Sequence, residues 1–133
     1  MRKLFLLLST VGMILVLTMS ANAGNLATKG QAWLDTHSQP AEINVNSDWY
    51  EKEWGRIVLH QAPGSRNLTG MGDGWDITGV VSGKQVFLLF SYKGGVVYSA
   101  VLTQEGGGSL DGSYSKGFMS ETTKGRPMHL TKQ

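Results

Sequence analysis

The sequence predicts an all-β protein: a small, glycine-rich antiparallel meander of about seven or eight strands closing into a barrel. Three observations lead there. From Trp49 onward, apolar and polar residues alternate at period two. The runs are short, rich in β-branched and aromatic residues, and bounded by Gly, Pro or Ser. A submotif of an apolar residue, a small polar or acidic residue and a glycine also recurs, as Leu68-Thr69-Gly70, Ile77-Thr78-Gly79, Val81-Ser82-Gly83 and Leu110-Asp111-Gly112. Glycine within a strand costs entropy, so its repeated use points to curvature, with strands that bend and large rings seated on bare backbone. Closure removes the long edges that such strands would expose. A β-sandwich is the alternative. It usually needs a Greek-key crossover, and no connection here is long enough to force one.

Residues 1–23 read as a cleaved signal peptide. Arg2 and Lys3 form a basic start, Leu4 to Met19 an apolar run, and Ala21-Asn22-Ala23 the spaced small residues of a cleavage site. The apolar run is long enough to resemble a short membrane anchor, but the flanking cleavage site favours removal. The expectation is an exported chain, periplasmic or extracellular, without a membrane segment after cleavage. Cutting after Ala23 leaves 110 of the 133 residues, enough for one core. It also removes two of the 12 basic residues, so the remainder balances ten against ten. With no basic cluster, nucleic acid is not an expected partner.

Residues 24–48 are polar and irregular and read as a flexible or strapping arm. Lys29 to Ser38 could form a turn or two of helix around Trp33 and Leu34, with Trp33 docked on the domain. The barrel occupies residues 49–133. In 55–61, Ile57 and Leu59 share a face, opposite Arg56 and His60. Ala62 to Ser65 turns, and 66–71 is a short strand. In 75–82, Trp75, Ile77, Gly79 and Val81 align. Ser82-Gly83-Lys84 turns into the most apolar strand, 84–92. Lys93-Gly94-Gly95 turns into 96–103, which aligns Val96, Tyr98, Ala100 and Leu102. Gln104 to Ser109 turns into 110–114, and 126–132 points Met128 and Leu130 inward. The strand around 86–90 is apolar on both faces. Phe87 and Leu89 therefore need a cover, supplied by the arm, by a second subunit or by another protein.

The chemistry is read largely by exclusion. The chain holds no cysteine, which removes disulfides, thiolate metal sites and cysteine nucleophiles. The stretch Gly70 to Gly79 lacks the lysine and helix of a phosphate loop, the spacing of a dinucleotide fingerprint and the closing glutamate of a calcium loop. Asp73-Gly74 reads instead as a type I′ hairpin turn. No G-x-S-x-G elbow is present. Glu51 and Glu53, beside Lys52, read as a solvated charge run rather than a carboxylate pair. His60 and His129 could meet if the first and last strands are neighbours, the one weak metal or proton-sensing idea. No cofactor, resident metal or catalytic constellation is expected.

Trp49 ahead of the first strand, Gly55 opening it, the Pro63-Gly64-Ser65 turn and then Leu68-Thr69-Gly70 resemble the opening of avidin- and lipocalin-type (calycin) barrels. The likeness covers roughly residues 49 to 114, and Ser47 stands where those families carry a glycine. It implies a barrel and leaves the ligand open. The expectation is a binding protein with Trp49, Trp54, Trp75 and Tyr114 as pocket or rim. Its partner would be a small ligand, a surface or an exported protein. The alternatives are an inhibitor of an exported hydrolase, acting through loops 62–66 or 104–109, and an interaction module that dimerises through strand 86–92.

Overall fold

A computed structural model describes residues 21–133, with side chains from Thr28. The predicted signal segment lies outside the described residues apart from its last three. The chain forms helix α1 (Ala21–Asp35) and eight strands: β1 (Ser47–Glu51), β2 (Gly55–His60), β3 (Asn67–Met71), β4 (Asp76–Ser82), β5 (Gln85–Tyr92), β6 (Gly95–Gln104), β7 (Ser109–Lys116) and β8 (Arg126–Lys132). Each strand pairs antiparallel with the next, and β8 pairs with β1, so the sheet is a closed barrel. The closing seam is short. Its register pairs are Trp49 with Lys132 and Tyr50 with Thr131, extended by the Gln133 N–H to the Asp48 carbonyl at 2.9 Å.

The predicted alternation governs which side chains enter the barrel. Ile57, Leu59, Ile77, Val81, Leu88, Phe90, Leu102, Leu110, Met128 and Leu130 are at most 2% exposed and form one cluster. The interior is thus filled with side chains, as expected for a barrel of about eight strands. At Gly79 an added Cβ would stand 2.3 Å from the Phe87 carbonyl oxygen. The glycine admits the neighbouring strand's backbone; the expectation that it seats a large ring is not what its surroundings show.

Three details depart from the sequence reading. β1 is a strand in its own right, where Glu51 to Glu53 reads as a turn before the first strand. The β5–β6 register shifts between Phe90 and Ser91, leaving Val97 as an extra residue. This bulge turns Val96 out of line with Tyr98 and onto the outer face, where it packs with Leu89. The Gly72–Trp75 turn has positive φ only at Gly74, the pattern of a type II turn; the positive pair that a type I′ turn needs occurs at Lys93 (φ 51°) and Gly94 (φ 82°).

The stretch read as an irregular arm carries α1. Gly30, Trp33, Leu34 and His37 fall at helical spacing and face the barrel. Gly30 allows the close approach, since a Cβ there would lie 3.1 Å from Leu89 Cδ1. Leu34, Val80, Phe87 and Leu89 form a second buried cluster with Trp33 and Phe118 against it. The Trp33 indole N–H donates to the Met119 carbonyl at 2.8 Å, tying α1 to the long β7–β8 loop. Phe87 and Leu89, expected at an interface, are 4% and 2% exposed beneath this layer.

Beyond α1 the chain crosses one end of the barrel. Glu42 N–H donates to the Gly83 carbonyl at 2.9 Å and Gly83 N–H to the Pro40 carbonyl at 3.0 Å, while Ala41 bridges Gly83. Val45 enters the core, and its N–H donates to the Gln61 side-chain oxygen at 2.8 Å. The Gln61 amide donates in turn to the carbonyls of Ile43 and Ser65. This end is closed, and the site must be sought elsewhere.

Candidate functional site: an aromatic cup at the open end

The opposite end carries the β1–β2, β3–β4, β5–β6 and β7–β8 connections. There Glu53, Trp54, Asp73, Trp75, Tyr98 and Tyr114 line a cup of about 340 Å³. Each side chain has a local reason for its place. Tyr98 and Tyr114 lie on the inward rows of β6 and β7 near the rim; the bulge at Val97 ends the β6 row at Tyr98, which pairs with the exposed Lys116 at the end of β7. Trp75 leaves the tight β3–β4 turn, where the Gly72 N–H bonds the Trp75 carbonyl at 3.0 Å. Trp54 closes the β1–β2 turn. The Glu51 carboxylate, 5% exposed, accepts the N–H groups of Glu53 and Trp54 at 2.6 and 2.7 Å. Glu51 is therefore a buried turn cap, not the solvated charge read from sequence.

The rings pack at steep angles. Trp54 meets Tyr98 at 86° and Tyr114 at 90°, with centroids 5.4 and 5.1 Å apart. Trp75 meets Tyr98 at 77° and 5.6 Å. Phe90 forms the floor, 4.5 Å from Trp54. The three tryptophan–tyrosine contacts are edge-to-face, the arrangement that aromatic quadrupoles favour, while Phe90 is tilted 38° from Trp54. At the rim the Tyr114 hydroxyl lies 3.5 Å from the Glu53 carboxylate. Arg126 is exposed, and its interaction with Tyr114, then the nearby Glu53 carboxylate, hold the guanidinium pKa above its ordinary value. Asp73 is exposed and has no hydrogen bond or ion pair among the described residues.

Of the four tryptophan and tyrosine candidates, Trp54, Trp75 and Tyr114 line the cup. Trp49 does not. It is 2% exposed, and its indole N–H donates to the Val45 carbonyl at 2.9 Å beneath the closed end. Tyr98, Glu53 and Asp73 were not singled out as site residues. Tyr98 is visible in sequence as an inward residue, but Val96 precedes it in the same row, and only the bulge at Val97 leaves Tyr98 at the mouth. Glu53 and Asp73 carry no such mark, because turn residues have no alternation to read.

His60 and His129 do not meet. β1 stands between β2 and β8, and His129 Nδ1 pairs with Asp111 Oδ1 instead. No group of three metal-ligating side chains occurs among the described residues. His37 stacks on Phe87, with centroids 3.6 Å apart and planes 10° off parallel. Burial, then the charge of Arg66, lowers its pKa below the ordinary 6.5.

A hollow of about 430 Å³ lies against the crossing segment 40–44 at the closed end, and two others are larger still but less suited to a ligand. One, of about 690 Å³, surrounds His60 and the 61–65 turn, where the Gln61 amide is spent on holding the crossing segment. The other, of about 660 Å³, lies between α1 and the barrel, where His37 and Phe87 already cover each other's faces. The chain matches no protein-family model, no curated protein and no solved structure. The cup's chemistry therefore rests on its own geometry.

Proposed function

We propose that this chain is an exported binding protein whose ligand docks in the aromatic cup at the open end of the barrel. One observation carries the reading: two of the four tryptophans and two tyrosines converge on a single rim, beside carboxylates, above an otherwise filled interior. A folded chain gains more by burying such rings than by leaving them at a mouth, so the partial exposure of Trp54, Trp75 and Tyr98 over the buried Tyr114 suits recognition. The filled core also means that the ligand is held at the mouth, not swallowed by the barrel.

The test is a titration of intrinsic tryptophan fluorescence with small-molecule fragments. Saturable quenching that disappears in Trp54→Ala and Trp75→Ala supports the reading. Binding that survives both variants overturns it. Export is checked by cell fractionation and by sequencing the mature N-terminus, expected at Gly24.

The filled interior also favours a second reading, inhibition of an exported hydrolase through the closed end. The 62–65 turn there is braced by the Ser65 N–H to the Ala62 carbonyl at 3.1 Å and by Gln61 beneath it. A tight, stoichiometric loss of protease or lysozyme activity, abolished by changes in 62–66 but not in the cup, would favour this role instead.

A further inference from the structure

Building on the cup as the binding site, we infer that its ligand is an alkylated ammonium group, of which trimethylammonium is the simplest form. The first ground is ring geometry. Trp54, Tyr98 and Tyr114 stand at 86°, 90° and 71° to one another, so they form a corner. A sugar ring stacks on one flat, open indole face, whereas a rounded cation touches several faces at once. Here the indole of Trp54 has four ring neighbours at 4.5 to 5.6 Å, so a ligand meets parts of several rings and not one broad, open platform.

The second ground is charge. Two carboxylates line the cup, and a cation beside it, Arg126, stands at the rim next to Tyr114 and Glu53. Glu53 is already engaged by Tyr114 and by the field of Arg126. Lys93 lies over the Tyr92 ring at 5.4 Å. Asp73 is left without a partner among the described residues, on the turn that also delivers Trp75. An ammonium carrying methyl groups uses both halves of this surface: its charge meets Asp73 and the ring faces, and its methyl groups cover apolar carbon that water solvates poorly. A primary ammonium would forfeit more hydration for the same contacts, and an anion would meet two carboxylates.

The same group occurs on free choline-type solutes and on phosphocholine headgroups. The experiment therefore titrates the mature protein with choline, with 3,3-dimethylbutan-1-ol as its neutral isostere, with methyl β-glucoside, and with phosphatidylcholine or phosphatidylglycerol vesicles. Choline should quench indole emission saturably and bind about tenfold or more tighter than the isostere. Asp73→Asn, on an exposed turn that tolerates the change, should raise the choline Kd several-fold and leave the isostere unmoved. Selective capture by phosphatidylcholine vesicles would identify the headgroup as the source; its absence alongside choline binding would identify the free solute. If the isostere or the glucoside binds as tightly as choline through Trp54 and Trp75, the ammonium class is wrong while the cup remains a binding site. If choline gives no Trp54-dependent quenching, the inference also fails, and the fragment titration decides the broader reading by itself.

Discussion

The Glu51 carboxylate accepts the backbone N–H of Trp54 at 2.7 Å from a position only 5% exposed. One buried charge thus holds the turn that presents the central ring of the cup. Its second acceptor bond, from the Glu53 N–H at 2.6 Å, anchors the backbone of that residue as well.

Glu51→Ala should therefore destabilise the protein by about 2 kcal/mol, the scale of lost hydrogen bonds to a charged group. Glu51→Gln, which keeps an acceptor oxygen, should lose less. Urea titration measures both, and the emission of Trp54 should shift red in the alanine variant. Equal stability of alanine variant and wild type would show that water replaces the cap.

Gly79 faces the backbone of β5 so closely that alanine cannot enter without moving a strand. Gly79→Ala should cost about 1–3 kcal/mol, the range of overpacked cores, despite alanine's lower chain entropy when unfolded. A raised thermal midpoint would contradict the close approach.

The seam between β1 and β8 is the shortest of the ladder pairings, with two register pairs. Removing residues 131–133 deletes both, together with the Lys132 N–H bond to the Gly108 carbonyl at 2.9 Å. Hydrogen exchange should then accelerate in β1 and β8 before β4, β5 and β6. Uniform protection across the barrel would show that side-chain packing around Trp49 closes it unaided.

Phe87 lies under α1, so a charge there attacks the helix–barrel contact and not a subunit boundary. Phe87→Asp should expose Trp33 and lower stability by several kcal/mol, about the cost of burying an unpaired charge. A folded variant of unchanged stability and halved mass by light scattering would restore the dimer reading of strand 86–92.

His37 stacks on Phe87 with a lowered pKa, so the unfolded chain takes up this proton more readily than the folded one. Its contribution is complete above the ordinary value of 6.5 and is lost as pH falls from there through the lower folded value. Docking of α1 should weaken as pH falls below 6.5, read from Trp33 emission. His37→Phe keeps the stack and should flatten that pH response; an identical slope in the variant would assign it to other groups.

The β-barrel class, the inward rows of Ile57, Ile77, Leu88 and Leu102, and the two-faced strand around Phe87 were legible in the sequence. Period-two alternation is a local property, and it survives folding because a filled barrel must bury one face of every strand. Trp75 and Tyr114 stand on rows that alternation records, whereas Trp54 lies in a turn and is marked only as one ring of an aromatic-rich segment; all three line the cup. Tertiary structure decided the rest. The helix around Gly30 and Trp33 has an apolar stripe too brief to announce itself, and it is held by the face of β5 that it covers. Trp49 and Trp54 are five residues apart and look alike in sequence, yet one plugs the closed end and the other sits in the cup. What separates them is the strand β1 and its closure against β8, a contact between the first and last strands that no local pattern records.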